Sequence, residues 1–241
     1  MKKILFIFTL LACSSVALTH AVAGSQRPTP AAVLYDPKIK TSEPKLNPAL
    51  EGRIMEDAAG MKDAQGRALC PPRDTRVRGV ASGSFTRAKA KQTAYLVFGC
   101  RVTLETETYG LLIYENSRLI SSSHLTVTDL YGLAREFYGV RDLNNNGLSE
   151  LALRWSTGDG CCFFESLALL EWKGVGWKTL GQLPLLYGED ENNLSSGFIN
   201  FNYTLYVQKG ARPVFVGVDA LNRNLPTVLE LERAILEVKT F

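Results

Sequence analysis

The rhythm of apolar and polar positions changes three times along the chain. The first block, Ile4 to Ala12, follows the basic start Met1-Lys2-Lys3 and gives way to small residues ending in Ala21-Val22-Ala23. Basic, then apolar, then small is the order of a secretory signal, so 1–23 reads as a signal peptide cleaved before Gly24. From Gly24 to about Lys45 no period survives, and seven of the ten prolines fall between Pro28 and Pro72. This composition describes an extended, Pro-rich tether over 24–77. One short helix interrupts it at about 47–60: Asn47 can cap it and Pro48 suits its first position. Leu50, Ile54, Met55 and Ala58 form one apolar stripe, and Gly60 ends it. The stripe predicts that the helix packs on the domain that follows.

Residues 78–241 carry strand patterns. Thr93 to Phe98 is a short apolar run suited to a buried strand. Arg101 to Thr108 alternates, with Val102 and Leu104 on one face and Glu105 and Glu107 on the other, solvated one. Gly110–Tyr114, the turn Glu115-Asn116-Ser117 and Arg118–Ile120 read as a hairpin, and Leu151–Trp155, Thr157–Gly160 and Phe163–Trp172 as a second. Phe198–Val207, Pro213–Val218 and Val228–Val238 are further strands, a strand being preferred to a helix over Leu229–Lys239. The two hairpins look related at an offset of about 55–60 residues, within the range of propeller-blade repeats. The predicted fold is all-β, with antiparallel meanders resembling two or three propeller blades, as a partial propeller or stacked sheets, and one short N-terminal helix.

Charge narrows the partners. Without Lys2 and Lys3 there are 25 basic residues against 24 acidic ones, which argues against a dedicated nucleic-acid binder. No segment beyond the signal is long and apolar enough to span a bilayer. Leu10-Leu11-Ala12-Cys13 resembles a bacterial lipobox, which offers a lipid anchor at Cys13 as the alternative to cleavage before Gly24. Cys70, Cys100, Cys161 and Cys162 remain, an even number that in an oxidising compartment favours two disulfides. Three connectivities are open, and a bond between the adjacent Cys161 and Cys162 would strain the backbone.

Asp142-Leu143-Asn144-Asn145-Asn146-Gly147-Leu148-Ser149-Glu150 is the stretch with the most chemistry. A calcium ion takes six to eight oxygens, and a loop supplies them by alternating ligands with residues that point away. Asp142, Asn144 and Asn146 stand at positions 1, 3 and 5, Gly147 permits the sharp turn, the Leu148 carbonyl is next, and Glu150 closes at position 9. Leu153 at position 12 excludes an EF-hand. The competing reading is a polar turn, because Asn-Gly is a strong hairpin signal. The stretch resembles the DxDxDGxxE segment of FG-GAP or VCBS-type repeats of integrin-like β-propellers, and GSFTRAKAKQTAYLV upstream resembles a degenerate copy starting at Ser84 and Phe85. The resemblance covers about residues 78–183 and implies a calcium loop between strands of a blade. Asn at positions 3 and 5 departs from the pattern and leaves two carboxylates to carry the charge.

Other chemistry is sparse. His124, in Ser121-Ser122-Ser123-His124, is the one histidine beyond the signal and reads as an exposed loop residue. GxSxG, HExxH and phosphate-cradling loops are absent. Glu105 and Glu107 could resemble a glycosidase pair, though they read as a solvated strand face. Arg73, Arg76, Arg78, Arg87, Lys89 and Lys91 concentrate positive charge that could meet an envelope polymer or an acidic partner, with Lys89 and Lys91 sharing a face if extended. The sequence therefore predicts a secreted or periplasmic, non-catalytic binding or structural module, with a protein or envelope polymer as partner and one structural calcium. The rival is a secreted hydrolase built on His124 or Glu105/Glu107.

Overall fold

Strands dominate, as the alternation implied. The computed structural model describes residues 32–39, 44–62, 75–103, 106–128, 133–158, 162–189, 199–219 and 236–240. The elements are β1 (Ala32–Tyr35), α1 (Pro48–Ala59), β2 (Arg76–Gly83), β3 (Gln92–Thr103), β4 (Thr106–Glu115), β5 (Arg118–Thr128), β6 (Leu133–Val140) and β7 (Glu150–Gly158). They continue with β8 (Cys162–Trp172), β9 (Trp177–Glu189), β10 (Ile199–Gln208), β11 (Val214–Asp219) and β12 (Leu236–Thr240). The fold is all-β and antiparallel. One sheet runs β12-β5-β4-β3-β2; the other runs β1-β10-β9-β8-β7-β6, with β11 also on β10. β1 comes from the Pro-rich N-terminal segment, where Ala32 pairs with Val207 at the end of the larger sheet.

Three apolar layers hold these elements. Between the sheets lie Leu96, Leu111, Ile113 and Phe85 against Leu151, Leu153, Trp155 and Leu170. The far side of the larger sheet curls over Ala152, Leu167, Leu169, Leu183 and Leu205. The far side of the smaller sheet takes α1, with Ile54, Ala58 and Met61 on Tyr95, Val97, Leu112 and Tyr114. β7 and β8 are thus covered on both faces, which is why their sequences read as continuous apolar runs. The exception within LALRW is Arg154, held by Glu136 at 2.8 Å and Glu165 at 2.5 Å, with its guanidinium 5.3 Å from the Tyr35 ring centre.

The helix forms where its caps place it. The Asn47 side chain accepts the Ala49 N–H at 2.9 Å, and Pro48 fills the first turn, where a missing N–H costs nothing. Ile54 is fully buried, which contributes on the order of 2 kcal/mol. Tyr114 Oη donates to Asp57 and ties the helix to β4.

Four strand-level expectations are corrected. Arg101–Thr108 is not one strand: it straddles the β3–β4 hairpin, in which Arg101 pairs with Glu107. Glu107 is buried, not solvated. His124 is buried on β5, not on an exposed loop. Lys89 and Lys91 lie in the turn region between β2 and β3, where Lys89 adopts a φ of 61°. The β4–β5 turn follows expectation, with Asn116 and Ser117 both left-handed, at φ 49° and 62°, as a tight hairpin requires.

Candidate functional site

The stretch 142–150 joins β6 to β7, and its side chains fold back on its own backbone. Asp142 Oδ1 accepts the Asn146 N–H at 3.0 Å, and Oδ2 accepts the Gly147 N–H at 2.9 Å. Asn144 Oδ1 accepts the Asn146 N–H at 3.2 Å, and Asn146 Oδ1 accepts the Leu148 N–H at 2.8 Å. The oxygens at positions 1, 3 and 5 are therefore drawn into one turn, each with a further lone pair to offer. The turn needs left-handed backbone at Asn145, φ 61°, and Gly147, φ 85°; a Cβ at Gly147 would also come within 3.2 Å of Ala88. Leu148 enters this set through its N–H. Leu143, fully buried, anchors the loop in the core of the larger sheet. Its carbonyl accepts the Gly210 N–H at 3.0 Å, and the Lys209 ammonium donates to the Arg141 carbonyl.

Glu150 is fully buried at the start of β7. Its Oε2 accepts the Leu143 N–H at 2.9 Å; among the described residues Oε1 has no hydrogen-bond partner. Burial pushes its carboxyl up to about 7, against the lowering effect of the Leu143 N–H and its own. The charges of Asp142 and Glu171 raise it further.

Glu171, on β8, is the residue that the loop pattern did not reveal. The register pairing Leu151 with Leu170 puts it opposite Glu150. Its side chain is 1% exposed, and its Oε1 accepts Asn144 Nδ2 at 2.5 Å and Asn146 Nδ2 at 2.6 Å. Its Oε2 faces the Lys173 ammonium as an ion pair rather than an aligned hydrogen bond. Asp142 and Glu171 thus both meet the asparagine turn, and Glu150 holds the Leu143 N–H beside it. Among the described residues, no three acidic, cysteine or histidine side chains are gathered tightly enough to hold an ion by themselves, so any ion here would need the asparagine and backbone oxygens as well.

The β2–β3 connection is a second version of the same construction. β2–β5 and β6–β9 are four-stranded antiparallel meanders, each with a loop between its first two strands. Gln92 Oε1 accepts the Phe85 N–H at 2.8 Å, seven residues back, as Glu150 accepts Leu143 seven residues back. Gln92 lies opposite Glu115, as Glu150 lies opposite Glu171. The faces correspond too: Leu112 and Tyr114 meet α1, while their counterparts Ala168 and Leu170 meet the first meander. The two loops touch, with the Ser149 N–H donating to the Ser84 carbonyl at 2.9 Å and the Ser84 N–H to Ser149 Oγ at 3.1 Å. In the first loop the facing carboxylate, Glu115, is paired at both oxygens. Gln92 Nε2 donates to Thr86 Oγ1 at 2.8 Å and Glu115 Oε2 at 3.0 Å, and the Arg87 guanidinium pairs with Glu115 Oε1. A sequence signal for Glu171 does exist: GLLIYE at 110–115 and SLALLE at 166–171 end in the same acid.

The other candidates do not converge. His124 is opposite Gly110 and Ser123 opposite Leu111, so the two side chains leave opposite faces of β5 and cannot form a dyad. Glu107 Oε2 accepts Tyr109 Oη at 2.5 Å, and Tyr109 Oη accepts the Ala134 N–H at 3.0 Å. This reads as an anchor of the β4 end. Glu105, Cys70 and Cys161 lie outside the described residues; Cys100 and Cys162 fall on β3 and β8, their side chains outside them too, so the disulfide expectation is not placed. Of the basic stretch, Arg73 lies outside the described residues, and Arg76 and Arg78 stack over Phe98 at 5.5 and 5.6 Å. Among the described residues, no helix is long and apolar enough to cross a membrane. Comparison with family models, with curated proteins and with solved structures finds no match.

Proposed function

We propose that the chain is a secreted or periplasmic, non-catalytic binding or structural module whose 142–150 loop holds one calcium ion. The observation that carries the ion is the contrast between the two meanders. The first loop balances its one carboxylate, Glu115, with Arg87 and an amide. The second brings three carboxylates to one loop, Asp142 and Glu150 on its backbone N–H groups and Glu171 on the Asn144 and Asn146 amides, with Lys173 on Glu171. A calcium ion would supply the balancing charge and take oxygens that the turn draws into one loop. Bound there, it would fix the β6–β7 connection and, through the Ser84–Ser149 bonds, its contact with the first loop. The resemblance to FG-GAP or VCBS-type repeats supports the same reading, since each meander carries its loop between its first two strands.

What favours a non-catalytic role over a secreted hydrolase is the placement of Ser123 and His124 on opposite faces and of Glu107 under Tyr109. Thermal melts in calcium and in chelator test the ion. At calcium a hundredfold above the dissociation constant, the folded state gains about 2.7 kcal/mol. A midpoint unmoved by ten millimolar calcium would sink the proposal. The partner reading, an envelope polymer or protein, is tested by pull-down on isolated envelope fractions.

A further inference from the structure

We propose that Glu171, on β8 and outside the loop, is a direct ligand of the cation, and that Lys173 holds its place as a tethered counter-charge when the cation is absent. This rests on the calcium reading of the 142–150 loop and extends it to a neighbouring strand. A calcium site confined to 142–150 would contain two carboxylates; with Glu171 it contains three. With the cation absent the Lys173 ammonium meets Glu171, and a bound divalent ion would take that place beside Asp142 and Glu150.

Position is the first support. Glu171 Oε1 sits between the asparagines at positions 3 and 5, within 2.5 and 2.6 Å of their Nδ2 atoms. Those amides are the side chains whose oxygens an ion would take. Flipping each amide would turn its oxygen toward Glu171, an arrangement that repels unless a cation lies among the oxygens. Burial is the second. Glu150 and Glu171 are 0% and 1% exposed and face each other across β7–β8, and Glu150 Oε1 has no hydrogen-bond partner among the described residues. Two buried carboxylates in such a place need pairing, because an uncompensated buried charge is expensive.

The internal comparison is the third support. At the matching place in the first meander, Glu115 faces an amide, Gln92, and its other oxygen meets the Arg87 guanidinium. There the protein supplies its own cation and removes the opposing carboxylate. In the second meander the carboxylate opposite is kept, and the resident cation is a lysine 48% exposed, on a flexible stem that can withdraw into solvent. Calcium and the Lys173 ammonium therefore compete for Glu171.

The test measures calcium affinity of the chelator-stripped mature chain by competition with a chromophoric chelator, for wild type, D142N, E171Q and K173M. Near-ultraviolet circular dichroism in chelator checks that each variant is folded. D142N and E171Q are each expected to weaken binding at least tenfold, whereas K173M tightens it several-fold because the competitor is gone. Wild-type affinity in E171Q beside lost affinity in D142N overturns the role of Glu171 and leaves the loop site standing. Absence of binding in the wild type overturns both. Should E171Q fail to fold, K173M still decides: unchanged or weaker binding rejects the competition and with it the assignment of Glu171.

Discussion

Replacing Glu150 with glutamine should stabilise the protein in chelator and remove its response to calcium. The folded state holds the Glu150 proton up to about pH 7, whereas the ordinary carboxyl releases it near 4.5. Its folded pKa is raised, so the folded protein binds more protons than the unfolded chain between those values. Stability therefore falls as pH rises through that window, and the whole cost is present above it. At about 1.4 kcal/mol per pKa unit, the ion-free cost at pH 8 is on the order of 3 kcal/mol. Glutamine never carries that charge. Gln92 shows that it fits: one oxygen takes the N–H seven residues back, and the amide nitrogen donates to the acid across the hairpin. For a domain of this size each kcal/mol moves the midpoint by about 2–4 °C, so the gain approaches about 10 °C at pH 8. Melts of wild type and E150Q in chelator from pH 4.5 to 8.5 read it. The two curves should diverge as pH rises, and millimolar calcium should raise the wild type alone. A less stable E150Q at pH 8, or one parallel to wild type across the window, would refute the reasoning.

The converse change, Q92E in the first meander, should destabilise. It removes the donors to Thr86 and Glu115 and sets a second carboxylate against Glu115, at a cost of about 2 kcal/mol in urea unfolding. G79A should cost about 1–3 kcal/mol, because the new Cβ lies 2.5 Å from Phe137 Cβ where β2 passes β6; an unchanged midpoint would show that this crossing yields. Mass spectrometry of the mature chain should find Gly24 at its N-terminus, and a diacylglycerol-modified Cys13 would move the protein to a lipid anchor.

Local chemistry was legible where a residue acts on its own neighbours. Asn47-Pro48 placed the start of α1, and the asparagine-glycine spacing marked a turn whose side chains close on its own backbone. Register was not legible. Whether Glu171 meets Glu150 depends on how β7 pairs with β8, and one residue of slip would send it to the other face. The same limit hid Glu107, since the alternation of Arg101–Thr108 looks identical whether the chain runs straight or turns after Thr103. His124 looked exposed because three serines precede it, yet Ser123 and His124 are both buried where β4 and β12 flank β5. The strand β1 was invisible for another reason: four residues in a proline-rich segment have no period of their own, and the pairing with β10 makes them a strand. Duplication was the strongest signal in reach, because two runs ending LLIYE and LALLE place equivalent acids at equivalent strand ends.

Equilibrium dialysis of the chelator-stripped chain against radiolabelled calcium puts the central claim to its most direct test. One ion should bind per wild-type chain at millimolar calcium or below, with clearly lower occupancy in D142N and E150Q at the same calcium. Wild-type protein that takes up no calcium, or variants that bind as the wild type does, would contradict the account.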